Sequence, residues 1–273
     1  MAAPGSGSRS PIMATPEVTV RAGHAGIAMA ALELLSDEGY RADGRRATEL
    51  RKVRARMGVF AQADGSAYIE QGNTKALAVV YGPHETRGPR SKALSDRAVL
   101  NCQYSMATFS TAERKRRPHG DRKSAEMALH LKQTFEAAII TELYPRSQID
   151  LYVQILQADG SNYCACVNAA TLAVMDAGIA LRDFVCAGSA GLAEDAALAD
   201  LSYIEEAAGG PQAALALMPG SGAMALVQMD ARLHHERLEA MMDAATAACR
   251  AVHAVLEEAV RERAREVTAL LGD

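Results

Sequence analysis

Hydrophobic and polar residues alternate along this chain in patterns that predict strands and helices in a repeating order. Residues 151–156 follow the two-residue period of a strand, and after a turn at Asp159-Gly160 the chain continues as a helix to Asp176. In the region before this segment, the pattern predicts four strands, at 51–61, 66–71, 75–81 and 98–106, and the first three of them form hairpins. One helix is predicted after them, at 125–143.

The region after the helix that ends at Asp176 repeats this pattern. Three further strands are predicted at 183–191, 213–218 and 223–229, and a long amphipathic helix covers 234–271. This order predicts an α+β fold of two related βαβα-type halves, with helices packed against mixed sheets and a long C-terminal helix.

The predicted domain spans residues 29–273 and divides into a first half at about 32–147 and a second half at about 148–273. Residues 1–28 are rich in Ala, Gly, Ser and Pro, and we expect them to be disordered.

Charge is distributed unevenly, although the formal net charge is only −4. Residues 82–123 contain ten basic and four acidic residues, whereas residues 193–210 contain five acidic residues and no Lys or Arg. Such a protein can hold a polyanion on one face and a partner or a metal on another. No apolar run reaches the roughly 18 residues needed to cross a bilayer, so we expect no membrane partner.

The five cysteines show neither CxxC nor zinc-site spacing. Cys164 and Cys166 are two residues apart near the start of a helix, where their side chains diverge, and we interpret them as small packing residues. This cysteine usage is typical of a reducing compartment.

The strand-turn-helix segment at 151–176 predicts a place where an anion can bind. The first N–H groups of a helix have no partner within the helix, and the helix dipole favours negative charge there. However, no Lys or Arg lies between Arg146 and Arg182, so the segment supplies donors without a cation of its own. This pattern indicates a pocket that has kept the shape of a phosphate site but lacks the positive charge needed for phosphate chemistry.

Several segments together resemble the RNase PH family, and within it the RNase PH-type ring subunits of the exosome, whose archaeal members are catalytic. The segments are GYRADGRR at 39–46, ADGSAYIEQGNT at 63–74, YGPHE at 81–85, FSTAERKR at 109–116, QADG at 157–160 and DAGI at 176–179. The resemblance implies an RNase PH-like fold, a six-membered ring of such subunits and a central channel for single-stranded RNA. Active relatives use inorganic phosphate to attack the terminal phosphodiester and release nucleoside diphosphates, which requires cations and a carboxylate-held metal or acid.

The resemblance also implies site positions, and this chain departs from active relatives at several of them. Their phosphate cradle ends in Gly-Thr/Ser-Arg, whereas the corresponding residues here are Ser161, Asn162 and Tyr163. A tyrosine cannot replace a bidentate guanidinium, and losing an oxyanion-stabilising group typically costs about 10²–10³ in rate. Their catalytic carboxylate pair corresponds to Asp200 and Glu206, and the second is one methylene longer than the usual Asp. We interpret both as relic positions and expect no catalytic residue, metal or cofactor.

Six basic residues are candidates for binding RNA: Arg87, Arg90, Lys92, Arg114, Arg122 and Lys123. Arg122 and Lys123 match an arginine pair that grips RNA near its 3′ end in active relatives. Residues 114–123 could instead form a solvated loop or a localisation-like basic patch. Arg87, Arg90 and Lys92 form either a positive ring at the channel neck or ordinary surface charge. RNA binding through them should depend on the phosphate backbone and weaken with salt.

Three other groups have a plain structural interpretation beside a functional one. Asp200, Glu205 and Glu206 are either a relic metal site, which we favour, or loop carboxylates near a turn. HHE at 234–236 is not HExxH and is interpreted as a polar cluster at a helix start. GSAG at 188–191 is not G-x-S-x-G and is interpreted as small residues that let a strand and a helix pack closely.

The sequence therefore predicts a non-catalytic RNA-binding scaffold of the exosome core ring, which threads single-stranded RNA to an associated ribonuclease for rRNA maturation and mRNA turnover. The alternative is an active phosphate-dependent 3′–5′ exoribonuclease, and a third reading is a stand-alone tRNA-trimming RNase PH; the missing cradle arginine argues against both. Expected partners are RNase PH-like ring subunits, S1/KH-type cap subunits, a catalytic ribonuclease and RNA. The expected locations are the nucleus, including the nucleolus, and the cytoplasm.

Overall fold

The computed structural model describes residues 34–85, 95–111, 121–193, 196–229 and 231–271. Within these ranges the chain forms nine strands and four helices, in the order β1 (Val53–Met57), β2 (Gly65–Gln71), β3 (Thr74–Glu85), β4 (Val99–Met106), α1 (Arg122–Ala138), β5 (Ser147–Gln157), α2 (Asn162–Asp176), β6 (Cys186–Ala193), β7 (Ala196–Ala199), α3 (Tyr203–Ala207), β8 (Gln212–Met218), β9 (Ala223–Met229) and α4 (His235–Leu271). The disorder predicted for residues 1–28 lies outside the described residues.

The first sheet has the strand order β1-β2-β3-β5-β4. Strands β1, β2 and β3 form the predicted antiparallel hairpins, and β5 enters between β3 and β4, antiparallel to β3 and parallel to β4. The alternation that predicted β5 explains its place, because Leu151, Val153 and Ile155 are all buried on one face. This sheet is mixed, as the sequence predicts.

The second sheet has the order β7-β6-β8-β9, and all of its strand pairs are antiparallel. A Cβ added to Gly188 in β6 would lie 3.0 Å from the Ala248 Cβ and 3.2 Å from the Ala245 carbonyl oxygen of α4. The small residues at 188–191 therefore do let β6 and α4 pack closely, which confirms their structural interpretation.

Helix α2 is buried on every side from Tyr163 to Val174, and it contacts strands of both sheets. A helix without a polar face is typical of a core position. Its Ala and Cys residues are small enough for the two sheets to approach it closely. Cys164 and Cys166 are fully buried free cysteines, so their prediction as packing residues is confirmed.

The helix predicted at 125–143 begins and ends earlier than its apolar pattern suggested. Helix α1 stops at Ala138, because Ile139 is extended and forms an isolated bridge with Leu181; a short 3₁₀ turn then covers Thr141–Leu143. Leu129, an apolar residue inside the predicted helix, is 52% exposed. The buried face instead carries Leu131, Thr134, Phe135 and Ala138.

The long helix α4 matches its predicted range, and its buried positions include Met241, Ala245, Val252 and Leu256. Val255, an apolar residue of the same helix, is partly exposed. Two elements, β7 and α3, have no counterpart in the sequence prediction. In the part of the chain that the structure describes, no helix combines the length and the apolar character needed to cross a membrane.

Candidate functional site

The start of α2 opens into a cavity of about 350 Å³. Residues from α1, α2, β6, α3, β8 and β9 line it, together with the segments that precede α2 and α3: Lys123, Glu126, Met127, Ser161, Asn162, Tyr163, Cys164, Ser189, Leu201, Glu206, Gln212, Ala213, Ala214 and Gln228. The cavity lies at the strand-turn-helix segment that the sequence marked as an anion pocket, and the three predicted cradle residues all reach it.

The turn before α2 needs an unusual backbone. Gly160 has φ +77°, and a Cβ there would lie only 2.5 Å from the Leu201 carbonyl oxygen, so a residue with a side chain does not fit. Ser161 follows with φ 53°, and its hydroxyl donates to the Leu201 carbonyl at 2.9 Å and lies 2.5 Å from the Ser189 hydroxyl. These contacts fix the first residue of the cradle to β6 and to the segment that leads into α3.

Glu206 occupies the cavity next to this turn. The Ser161 N–H donates a 2.6 Å hydrogen bond to its Oε1. Burial raises the pKa of Glu206, and this effect outweighs the opposing effects of the Ser161 N–H and the charge of Arg51, so that its pKa lies above the ordinary value. The carboxylate thus accepts one backbone N–H in a poorly solvated position, and no arginine among the described residues binds it with two hydrogen bonds.

Tyr163 lies at the position of the cradle arginine, and its side chain is used for packing. Only 6% of the residue is exposed, and its hydroxyl forms a 2.7 Å hydrogen bond with the Thr134 hydroxyl of α1. The His130 ring packs edge-on against the tyrosine ring, with the centroids 6.3 Å apart. Burial raises the pKa of Tyr163, so the phenol stays neutral. Tyr163 joins α1 to α2 and offers an anion no positive charge.

Asp200 does not line the cavity, which corrects its assignment to a relic site beside Glu206. It is fully buried, and its two oxygens accept four hydrogen bonds. Arg51 supplies three of them, from its backbone N–H at 2.9 Å, Nε at 3.0 Å and Nη2 at 2.7 Å, and Gln71 Nε2 supplies the fourth at 2.8 Å. A carboxylate has about four lone-pair positions, so Asp200 has none left for a metal.

Arginines hold the pKa values of two carboxylates low. Burial by itself would raise the pKa of Asp200, but the hydrogen bonds and charge of Arg51 outweigh it and keep that pKa below its ordinary value. Glu205 behaves in the same way, because its carboxylate receives Arg41 Nε at 2.6 Å and is also bonded to Arg41 Nη2. Both are buried ion pairs that join the segment before β1 to the segment around α3.

The predicted three-carboxylate relic metal site is therefore not formed. Asp200 and Glu205 each bind an arginine, and only Glu206 faces the cavity. Across the described residues there is no group of three or more His, Cys, Asp or Glu side chains arranged to hold a metal ion. The alternative, loop carboxylates near a turn, is also incomplete, because two of the three residues belong to α3.

The candidate RNA-binding residues divide into two sets. Lys123 lies in the first turn of α1 and lines the cavity, whereas Arg122, the first residue of α1, is exposed and does not line it. The other four lie outside the described residues: Arg87, Arg90, Lys92 and Arg114. The HHE segment is exposed at the start of α4, where His234 Nδ1 lies 3.7 Å from a Glu236 oxygen, as expected for a polar cluster at a helix start.

Sequence reasoning missed the arginines that organise the site. Arg41 and Arg51 are buried, and the carboxylates that they bind lie about 150 or more positions later in the sequence. A local signal for α3 did exist. Ser202 and Glu205 have the spacing of a capping box, and the Ser202 N–H does donate to the Glu205 side chain at 2.7 Å.

Comparison with known proteins gives matches over most of the chain. Residues 49–180 match the 3′ exoribonuclease family, domain 1 (RNase_PH), and residues 183–248 match domain 2 of the same family (RNase_PH_C). The chain is 73% identical to the human exosome complex component RRP41 over 245 residues, which cover 90% of this chain and 100% of the human protein. It is 42% identical to the exosome complex component Rrp41 of Methanopyrus kandleri, over 84% of this chain and 95% of that protein.

The fold also matches a solved structure. The crystal structure of rice (Oryza sativa) Rrp46 superposes with a TM-score of 0.71 at 22% identity, covering 80% of this chain and 98% of the rice chain. At that identity the likeness concerns the fold alone.

Proposed function

Because the chain belongs to the 3′ exoribonuclease (RNase PH) family and is an RNase PH-type subunit of the exosome ring, we propose that it is a non-catalytic scaffold which threads single-stranded RNA. In this proposal an associated ribonuclease degrades the RNA in the 3′-to-5′ direction, during rRNA maturation and mRNA turnover. The work of the chain is to complete the ring and to hold the RNA backbone, without activating phosphate.

The observation that carries this proposal is the state of Tyr163. Phosphorolysis brings inorganic phosphate against a phosphodiester, so two anions must be held together by cations. The residue at the cradle-arginine position is neutral, packed against α1 and bonded to Thr134. Lys123 is the one basic side chain among the described residues that line the cavity. The described lining therefore offers no arginine to hold inorganic phosphate against the phosphodiester.

The test is an assay for nucleoside diphosphates. The full chain, and the full chain assembled with a neighbouring RNase PH-like subunit, would be incubated with single-stranded RNA, inorganic phosphate and Mg²⁺. We expect no phosphate-dependent release of nucleoside diphosphates from either sample. Release that requires phosphate and disappears in a Glu206→Gln variant would refute the proposal.

RNA binding supplies a second test. Arg122 and Lys123 lie at the start of α1, where two exposed cations can contact RNA phosphates. In the assembled ring, changing both to Glu should weaken binding of single-stranded RNA and lower the slope of log affinity against log salt by about 1.4. The matched control changes Arg54 and Arg56, two exposed residues of β1, to Glu. Equal weakening by both variants would show that only net charge matters and would contradict an RNA contact at α1.

The active exoribonuclease stays as the second candidate, and one observation favours it. Lys123, Glu206 and the start of α2 line one cavity, so a cation, a carboxylate and helix N–H donors do lie together. The diphosphate assay separates the two functions directly.

The proposal extends to partners and location. The relatives are exosome components, and assembly with other exosome subunits and RNA fits them. We propose that the partners are other RNase PH-like subunits of a six-membered ring, S1/KH-type cap subunits and a separate catalytic ribonuclease, in the nucleus, the nucleolus and the cytoplasm. Mass spectrometry of the complex recovered with this chain from each compartment would test both parts.

A further inference from the structure

The first turn of α2 is a place for an anion, and the Glu206 carboxylate lies beside it. The N–H groups of Asn162, Tyr163 and Cys164 have no hydrogen-bond partner among the described residues, and no side chain caps the helix. Unpaired donors at the start of a 15-residue helix attract negative charge. The N–H immediately before them, that of Ser161, donates to Glu206 Oε1 at 2.6 Å.

The position of Glu206 is fixed by the surrounding structure. Glu206 lies in α3, whose capping residue Glu205 is bound by the buried Arg41. The residue that precedes α3 by two positions, Leu201, accepts the Ser161 hydroxyl and packs against Gly160. The two sides of the cavity are thus joined by buried contacts, which hold the backbone of Glu206 beside the turn that precedes α2.

We propose that Glu206 is the residue that determines anion specificity in this cavity: its carboxylate is bonded to the Ser161 N–H, lies beside the anion position formed by the unpaired α2 donors, and repels inorganic phosphate from it. This inference rests on the proposed function, because it concerns the same cavity, and it adds a second cause to the absence of the cradle arginine. Neutral Tyr163 fails to attract phosphate, and Glu206 actively repels it. The raised pKa of Glu206 agrees with a carboxylate that is held in a poorly solvated position.

The extra methylene of glutamate matters in this arrangement. Aspartate at residue 206 would carry the same charge on a shorter side chain, and its carboxylate would withdraw from the Ser161 N–H. The effect of length can therefore be measured separately from the effect of charge.

The test measures binding of inorganic phosphate to the full chain by ³¹P NMR, with thermal unfolding in phosphate and in chloride at equal ionic strength as a second readout. The variants are Glu206→Ala, Glu206→Gln and Glu206→Asp. Glu126→Ala is the matched control, because Glu126 lines the same cavity and forms no hydrogen bond or ion pair with the α2 turn in the part of the chain that the structure describes. Circular dichroism establishes that each variant is folded, and Glu206→Gln, which keeps the side-chain volume, takes the place of Glu206→Ala if the latter does not fold.

We expect the Glu206→Ala variant to bind phosphate weakly but saturably, at least about tenfold more tightly than the wild type, which corresponds to about 1.4 kcal/mol. Glu206→Gln and Glu206→Asp should fall between these two proteins, and Glu126→Ala should match the wild type. Equal phosphate affinity in the wild type and Glu206→Ala, including no binding by either, would overturn the inference. An equal gain in Glu126→Ala would also overturn it, because any lost negative charge would then suffice.

These outcomes separate the inference from the proposed function. Nucleoside diphosphate release by the wild type would refute the scaffold proposal. Unchanged phosphate affinity across the Glu206 variants would refute only the role of Glu206.

Discussion

Asp200 and Glu206 are six residues apart, and their carboxylates have opposite environments. Asp200 accepts four hydrogen bonds, and Arg51 neutralises its charge in a fully buried position. Glu206 faces a cavity and accepts a backbone N–H from Ser161. The pKa of Asp200 is held below its ordinary value, while that of Glu206 is raised above it.

The difference shows that a carboxylate pair recognised by its spacing need not act as a pair. Asp200 has a structural role, because Arg51, from the segment before β1, donates hydrogen bonds to both of its carboxylate oxygens. Glu206 keeps its position in the cavity, where it can influence what binds. Four experiments test this difference through the free energy of unfolding, and they follow from the largest expected effect to the smallest.

Removing Asp200 should have the largest effect. Asp200→Ala leaves Arg51 buried without its partner, and breaking one side of a buried pair typically costs about 3–5 kcal/mol. The measurement is the free energy of unfolding of the full chain in urea. Asp96→Ala, which removes an exposed carboxylate beside Arg97, is the control and should leave the unfolding free energy unchanged. A loss below 1 kcal/mol for Asp200→Ala would mean that the network contributes little.

Acid should act through the same network. Because the folded pKa values of Asp200 and Glu205 are lowered, their contribution to stability is full above the ordinary values of 3.8 and 4.5 and is lost as the pH falls through the lowered values. The stability difference between the wild type and Asp200→Asn should therefore be largest near neutral pH and shrink below about pH 4. Urea unfolding at several pH values from 7 to 3 measures it. A difference that stays constant with pH would show that charge is not the cause.

A smaller loss is expected where the cavity borders the core. Tyr163→Phe removes the hydroxyl that bonds to Thr134, and a neutral hydrogen bond contributes about 1 kcal/mol. Thr134 keeps its bond to the His130 carbonyl, so its own hydroxyl is not left without a partner. The unfolding free energy of Tyr163→Phe should fall by this amount, and Tyr203→Phe, at an exposed tyrosine, should not change it. Equal behaviour of the two variants would show that the Tyr163 hydroxyl is not structurally used.

The smallest effect, and one of opposite sign to that at Asp200, should come from Glu206. A raised folded pKa means that the ionised carboxylate costs stability above that pKa, so Glu206→Gln should be neutral or slightly stabilising at pH 7, within about 0.5 kcal/mol. The gain should disappear as the pH falls towards the ordinary value of 4.5, where the wild-type carboxyl is also neutral. A large loss at pH 7 would place Glu206 with Asp200 among the structural carboxylates.

Part of the site could be predicted from local sequence. Alternation in 151–156 predicted the central strand β5, and the Asp159-Gly160 turn correctly predicted that a helix would begin with unpaired donors. The resemblance to the RNase PH family assigned Ser161, Asn162 and Tyr163 to one lapsed phosphate cradle, and in the structure these three residues line one cavity. Each of these features depends on residues that are close in sequence or on a motif carried by the family.

The sequence did not reveal how Asp200 would be used. Its partner Arg51 is 149 positions away, and the match of Asp200 to a catalytic position gave no information about burial. The orientation of Tyr163 depends on Thr134 in another helix, and the exposure of Leu129 depends on which face of α1 meets the sheet. Periodicity shows that a helix has an apolar side but does not decide which of several apolar residues is buried.

The sequence alone determined the order of the strands and helices other than β7 and α3 and the unpaired donors at the start of α2, because these follow from residue type, chain geometry and short-range spacing. The resemblance to the RNase PH family identified the loss of a cation at residue 163. Tertiary structure decided which carboxylate pairs with an arginine and which faces the cavity. The physical reason is that charge neutralisation and desolvation depend on distances between residues brought together only by folding, and those distances gave Asp200 and Glu206 opposite pKa shifts.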